Sequence, residues 1–160
     1  MSRFSVFVVS TFLFLSPLTV AISAEEDSIN TQSHSEQQVL QIFATIERAW
    51  QSGEVDSILQ FVGEKRITLS FEKGGPKKGK FGKRQLRYVL GDLFKYTLLE
   101  KFSFVRYEEI RNHPEKAIAL AEREYRLEKE GEIFKDKVEV ILEREEEKWM
   151  LVEINSRQEM

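Results

Sequence analysis

The sequence predicts an α+β domain in which three N-terminal helices pack on an antiparallel sheet. In the first half of the chain, apolar residues recur every three or four positions, the spacing of one helix face. In the second half, four stretches alternate apolar and polar residues. Turn sequences such as Asn112-His113-Pro114 separate these stretches, which is typical of strands joined as hairpins.

The composition is that of one globular domain, or one domain with an appendage. With 41% hydrophobic and 32% charged residues, the 160-residue chain is too apolar to be disordered and too charged for a membrane bundle. The formal net charge of -3 gives no reason to expect a nucleic-acid binder. The absence of cysteine excludes disulfides, thiol nucleophiles and cysteine-ligated metals.

Residues 1–24 have the pattern of a signal peptide. Arg3 precedes an uncharged apolar run, Pro17 interrupts it, and small residues follow, so cleavage is expected after Ser23 or Ala24. The alternative is an uncleaved anchor, because the stretch is about as long as a membrane span. Cleavage predicts an exported protein, periplasmic or secreted, with no stable membrane insertion. The polar residues 25–34 are then expected to form a flexible linker.

Three helices are predicted from the apolar spacing. The first covers Ser35–Gln51 and ends at Gly53, a residue suited to a left-handed stop. A short second helix occupies Val55–Val62, and Gly63 closes it. The third begins near Lys83 and carries its apolar stripe on Leu86, Val89, Leu90, Leu93 and Phe94.

Five strands are predicted from β-branched and alternating stretches. They are Arg66–Phe71, Lys101–Ile110, Lys116–Glu128, Glu132–Glu143 and Lys148–Asn155. The glycine-rich stretch Lys73–Lys83 is a loop or hairpin connection. The short links between the last four strands favour consecutive antiparallel pairs, and the last strand, apolar on both sides, suits a central position.

This order of elements resembles that of the nuclear transport factor 2-like superfamily, the cystatin-like α+β cone. The local matches are Gly53–Leu59, Gly79–Leu86, Val89–Phe94, Phe102–Phe104 and Lys148–Ile154. The last four of these resemble an exported, uncharacterised branch of the superfamily that is known only as a domain of unknown function. The resemblance implies a domain over residues 35–156, a sheet curved around a helix, and a pocket at the open end of the cone. It carries no catalytic motif.

Polar residues on the apolar strand faces are the candidates for lining that pocket. They are Asp136, Arg106, Arg123 and Tyr125. A buried carboxylate flanked by arginine and tyrosine could bind a polar ligand or act as a general base. The competing interpretation is a partly exposed ion pair at the rim of the sheet.

No catalytic, metal-binding or cofactor-binding set is predicted. Members of the superfamily that isomerise steroids use a carboxylate base with an oxyanion hole that includes a protonated aspartate. Here Asp56 opens the short helix and Asp92 should lie off the apolar stripe of the third helix, so Asp136 stands alone. His34 and His113 have no partner at metal-ligand spacing.

Basic residues concentrate in the loop and at the start of the third helix. The anion-binding candidates there are Lys77, Lys78, Lys80, Lys83, Arg84 and Arg87. Phe81 and Tyr88 lie among them, as on surfaces that bind nucleic acid or other polyanions. The competing interpretation is a solvated loop that faces the acidic second half of the chain.

Together these features predict an exported, non-catalytic domain that binds an unknown small molecule or protein through its pocket or open sheet face. One alternative is a small enzyme of the isomerase or dehydratase type with Asp136 as base, and another is a polyanion-binding module that uses the basic loop. Nucleic acid is not the expected partner. Related cones often pair through the outer sheet face, where Ile133 and Ile141 are the apolar residues of the third hairpin strand, so a weak homodimer is also expected.

Overall fold

The computed structural model describes residues 21–108 and 115–158. Its elements, in chain order, are α1 (Ala21–Ser52), α2 (Val55–Leu59), β1 (Ile67–Ser70), β2 (Gly79–Phe81), α3 (Lys83–Tyr96), β3 (Leu98–Glu108), β4 (Lys116–Arg126), β5 (Phe134–Glu145) and β6 (Lys148–Gln158). The predicted α+β fold class, with its three N-terminal helices, is confirmed. Most of the predicted signal peptide, together with His113, lies outside the described residues.

Helix α1 begins earlier than the apolar spacing predicted. It is continuous from Ala21, so residues 25–34, which we expected to form a linker, are helical, and His34 lies inside the helix. Its end agrees with the prediction, because Gly53 follows with a φ of 72°, in the left-handed region that favours glycine. The buried stripe of the helix comprises Val39, Ile42, Phe43, Ile46, Ala49 and Trp50.

The sheet has six strands in the order β2-β1-β6-β5-β4-β3. The three hairpins formed by β3 to β6 are antiparallel, as predicted. Strand β6 is indeed central, because it also pairs with β1. That pairing is parallel, which the sequence did not indicate, so the sheet is mixed. Its inner face meets the apolar stripes of the helices, among them Leu86, Leu90 and Leu93 of α3.

Strand β3 forms one edge of the sheet, and α1 covers part of that edge. Gln51 donates a hydrogen bond from Nε2 to the carbonyl oxygen of Phe102, at 2.8 Å, and Glu47 accepts one from the backbone N–H of Phe104, at 2.7 Å. These side chains satisfy backbone groups that no neighbouring strand reaches. Helix α1 therefore both packs on the edge strand and closes part of it to further pairing.

Three register shifts change which side chains face inward. Two lie in β3, between Leu99 and Lys101 and between Phe104 and Arg106, and the third follows Ile141 of β5, where β6 carries Val152 as the additional residue. An additional residue reverses the alternation beyond it. On β6, Trp149, Leu151 and Ile154 are consequently all buried, an arrangement that neither of the two predicted alternations of this strand contained.

Candidate functional site

The inner face of the sheet holds a buried ion pair between Arg123 and Asp136, near one end of β5. The two residues are direct partners across the β4–β5 ladder. Arg123 donates from Nε to Asp136 Oδ1, at 2.9 Å, and from Nη2 to Asp136 Oδ2, at 2.6 Å. Both side chains are 1% exposed. The sequence correctly indicated that the two residues lie together. The competing interpretation, a partly exposed ion pair at the rim of the sheet, differs from the observed pair, which is buried and bidentate.

Aromatic rings enclose the guanidinium group. Its central carbon lies 4.2 Å from the ring centre of Tyr125 and 5.0 Å from that of Phe71. Within the described residues, Nη1 of Arg123 is buried without a hydrogen-bond partner. The charge of Arg123 is thus compensated by Asp136 and by the faces of two rings.

Tyr125 connects this pair to the glycine-rich segment that follows β1. Its hydroxyl donates a hydrogen bond to the carbonyl oxygen of Lys73, at 3.0 Å. Burial is the main cause that raises the pKa of the Tyr125 phenol above its ordinary value; the neighbouring Arg123 acts in the opposite direction. Tyr125 therefore anchors the segment as a neutral hydrogen-bond donor.

Arg106 does not join the other three candidates. The bulge after Phe104 makes Arg106 the partner of Leu120, on the outer face, whereas Phe104 pairs with the buried Ala121. Arg106 is 64% exposed and forms an ion pair with Glu108. Tyr107, rather than Arg106, is directed to the inner face: it is 44% exposed, and its ring contacts that of Phe43. A strictly alternating strand, which we assumed, would have directed Arg106 into the pocket.

A cavity of about 320 Å³ lies at the same end of the cone, between α3, the segment after β1 and the end of β4. Its lining consists of Gly74, Gly75, Pro76, Val89, Asp92, Leu93, Tyr96, Thr97 and Leu127. Its volume is at the small end of the range found for ligand-binding cavities. None of the four residues predicted from the sequence lines it.

Two glycines let the chain form one wall of this cavity. Gly74 has a φ of 66°, and a Cβ atom there would lie 2.6 Å from Cε2 of Tyr125. At Gly75, a Cβ atom would lie 2.7 Å from Cγ of Phe71. Only glycine permits so close an approach. The Gly74–Pro76 segment therefore lies directly on the rings that enclose Arg123 and separates them from the cavity.

The cavity wall is mainly apolar, with few polar groups. Asp92 is the one ionisable acid or base in the lining apart from the Tyr96 phenol, and it is exposed at the rim. The hydroxyl of Thr97 donates to the carbonyl oxygen of Leu93 and is therefore already engaged. Such a site suits an apolar molecule that presents one polar group at the rim. The sequence pattern missed it, although consecutive glycines before a proline are a signal for close backbone approach.

The predicted anion-binding residues divide into two groups. Lys83 donates to the carbonyl oxygen of Val62, at 3.2 Å, and Arg87 pairs with Asp56, at 2.6 Å. The others are exposed on the loop, on β2 and on the first turn of α3; they are Lys77, Lys78, Lys80 and Arg84. The contacts of Lys83 and Arg87 stabilise the local fold, which explains two of the six basic residues without an anion.

In residues 21–108 and 115–158, no group of three or more histidine, aspartate or glutamate residues could hold a metal ion. No helix in this part of the chain is both long and apolar enough to cross a membrane.

Solved structures of similar fold come from several bacteria. A DUF4783 family protein from Bacteroides uniformis superposes with a TM-score of 0.59 at 11% identity, over 73% of this chain and 96% of its own. A domain of unknown function with a cystatin-like fold from Nostoc punctiforme gives a TM-score of 0.60 at 13% identity, over 79% and 78%. An NTF2-like protein of unknown function from Shewanella oneidensis gives 0.54 at 14%, over 76% and 97%. No protein-family model and no curated protein sequence matches the chain.

At these identities the superpositions show the fold alone. The chain has the cystatin-like, NTF2-like fold, so the fold that the sequence resemblance implied is confirmed.

Proposed function

We propose that this protein is an exported, non-catalytic binding domain that holds a small, largely apolar molecule in the cavity between α3 and the Gly74–Pro76 segment. The observation that carries the proposal is the cavity of about 320 Å³ with its predominantly apolar wall. Leu93 lines it from the buried stripe of α3, so its inner wall belongs to the hydrophobic core. A wall built on the core is preformed, which lowers the cost of binding.

The arrangement of Asp136 supports binding over catalysis. A general base must come within hydrogen-bond reach of the proton that it removes. Both oxygens of Asp136 accept from Arg123, the side chain is buried, and the residue does not line the cavity. Its best-supported role is to compensate the charge of Arg123. A turnover activity that Asp136→Asn abolishes without unfolding the protein would favour the enzyme instead.

The binding site is tested by filling it. Leu127 lines the cavity and is 39% exposed, whereas Ile133 is 42% exposed and does not line it. We expect Leu127→Trp to occupy the cavity and Ile133→Trp to leave it open. A panel of small molecules is screened by thermal unfolding, since a ligand at a hundred times its Kd stabilises the folded state by about 2.7 kcal/mol.

The expected result is a group of compounds that stabilise the wild type and Ile133→Trp but not Leu127→Trp. Stabilisation of all three proteins alike would place the ligand elsewhere. The absence of any stabilising apolar compound would contradict the proposal.

Export is the second part of the proposal. It is supported by the arginine, apolar run and small residues of the first 24 positions. The intact mass of protein recovered from its native host should correspond to a chain that begins at Ala24 or Glu25. Recovery of a chain beginning at Met1 or Ser2 in the membrane fraction would show an anchor.

A further inference from the structure

We infer that the molecule held in the cavity carries a protonated amine on a short apolar chain; this inference rests on the proposed function and specifies its ligand. The first observation is the position of Asp92. Its carboxylate stands at the rim of an otherwise apolar wall, and no ion pair engages it within the described residues. A ligand whose cationic end meets Asp92 leaves its apolar part in contact with Val89, Leu93 and Leu127.

The end of α3 supplies a second source of negative potential. The cavity is lined by Leu93, Tyr96 and Thr97, which form the last turn of this 14-residue helix and its cap. The C-terminal end of a helix carries a partial negative charge that favours cations within about one turn. Asp92 and the helix end therefore act in the same direction.

The ring of Tyr96 adds a surface that accepts cations. The ring lines the cavity, its residue is 62% exposed, and the ammonium group of Lys95 already lies 5.1 Å from the ring centre. Aromatic faces attract ammonium groups by their quadrupole. A carboxylate at the same place would instead meet the like charge of Asp92.

Three lysines lie near the site, and none of them lines it. Lys95, in the last turn of α3, has its ammonium group 5.1 Å from the ring centre of Tyr96, but it is exposed, so solvent and salt screen its charge. Lys73 directs its ammonium group to the ring of Phe134, at 3.6 Å. Lys77 follows the lining segment but is exposed and does not line the cavity, so solvent and salt screen its charge.

The volume sets the length of the ligand. At roughly 30 Å³ for each water-sized group, the cavity accommodates about ten non-hydrogen atoms. An eight-carbon chain with one polar end group is of this size. n-Octylammonium, n-octanol and n-octanoate therefore form a set of eight-carbon probes whose end groups carry a positive charge, no charge and a negative charge.

Affinities for the three probes are measured by calorimetric titration of the full mature protein near pH 7. We expect octylammonium to bind best, octanol about two- to fivefold more weakly, and octanoate most weakly, since an exposed ion pair contributes that much. Asp92→Asn should remove most of the advantage of octylammonium over octanol and leave the affinity for octanol unchanged. Glu128 is the control, because it is exposed next to Leu127 but does not line the cavity.

The outcomes separate the two proposals. Equal affinity for the three probes, with binding lost in Leu127→Trp, would overturn the preference for an amine and leave the binding function standing. An effect of Glu128→Gln as large as that of Asp92→Asn would also overturn it, because a general field rather than a contact would then be responsible. No binding of any probe to the wild type would contradict both proposals.

Discussion

Replacement of Asp136 by asparagine should destabilise the fold severely. The two hydrogen bonds from Arg123, at 2.9 and 2.6 Å, would lose their charged acceptor, while the guanidinium group stays 1% exposed. Removing one partner of a buried ion pair costs about 3 to 5 kcal/mol, because the remaining charge is left uncompensated. A domain of this kind has a total stability of about 5 to 15 kcal/mol, so the single change removes a large part of it.

The double variant Arg123→Met, Asp136→Leu removes both charges and should behave differently. Well-packed apolar residues often replace a buried ion pair at no cost or with a gain of about 1 to 4 kcal/mol. Urea unfolding followed by the fluorescence of the buried Trp50 and Trp149 measures both variants. The reasoning is refuted if Asp136→Asn costs less than about 1 kcal/mol, or if the double variant loses as much as the two single changes added together.

Three further predictions concern Gly74, Tyr125 and the outer sheet face. Gly74→Ala should lower the free energy of unfolding in urea by about 1 to 3 kcal/mol, because position 74 has a left-handed φ and an added Cβ would collide with Tyr125. The control Gly91→Ala lies inside α3 with nothing within 4 Å and should raise that free energy by about 0.5 to 1 kcal/mol, so equal effects of the two changes would disprove the close approach. Because burial raises the folded-state pKa of Tyr125, the folded protein binds the phenolic proton more tightly than the unfolded chain, and stability should fall as the pH rises through and beyond about 10. Tyr125→Phe should show a shallower alkaline loss in unfolding measured across that range, and an unchanged slope would contradict the cause. Ile141, expected on an open outer face, is only 7% exposed beside Ile118, so Ile141→Lys should also destabilise the monomer. The weak homodimer stays a prediction that sedimentation of the wild type over a wide concentration range tests, and a protein that is monomeric throughout would remove dimerisation from this account.

The spacing of apolar residues along the chain predicted most of the helices and strands and placed Arg123 and Asp136 on the same face of the sheet. Helix α3 begins at Lys83, and β3 to β6 form consecutive hairpins, as the alternation and the short turns indicated. The sequence assigns Asp136 to the inner face because it shares the parity of Phe134 and Val138, and Arg123 because it continues the run of Ala119 and Ala121. Such local periodicity depends only on near neighbours in the chain, so it can be read from the sequence.

The parts that the sequence did not predict depend on distant contacts or on single irregular residues. A bulge adds one residue without changing the composition of the strand, and it moved Arg106 to the outer face. The cavity combines three separate segments, represented by Pro76, Leu93 and Leu127, and no spacing within one segment shows that they meet. Asp92 was correctly placed off the buried stripe of α3, but its position at a cavity rim follows only from the packing.

The central claim is that the cavity at the end of α3 binds a small apolar molecule, and methyl NMR during a titration with n-octylammonium tests it most directly. Val89, Leu93 and Leu127 line the cavity, whereas Ile118 and Ile141 are paired neighbours on β4 and β5 of which neither lines it. The account predicts saturable shifts of the methyl signals of the first three residues and unchanged signals of the two isoleucines. Shifts confined to the isoleucines, or no saturable shift at any of the five residues, would contradict it.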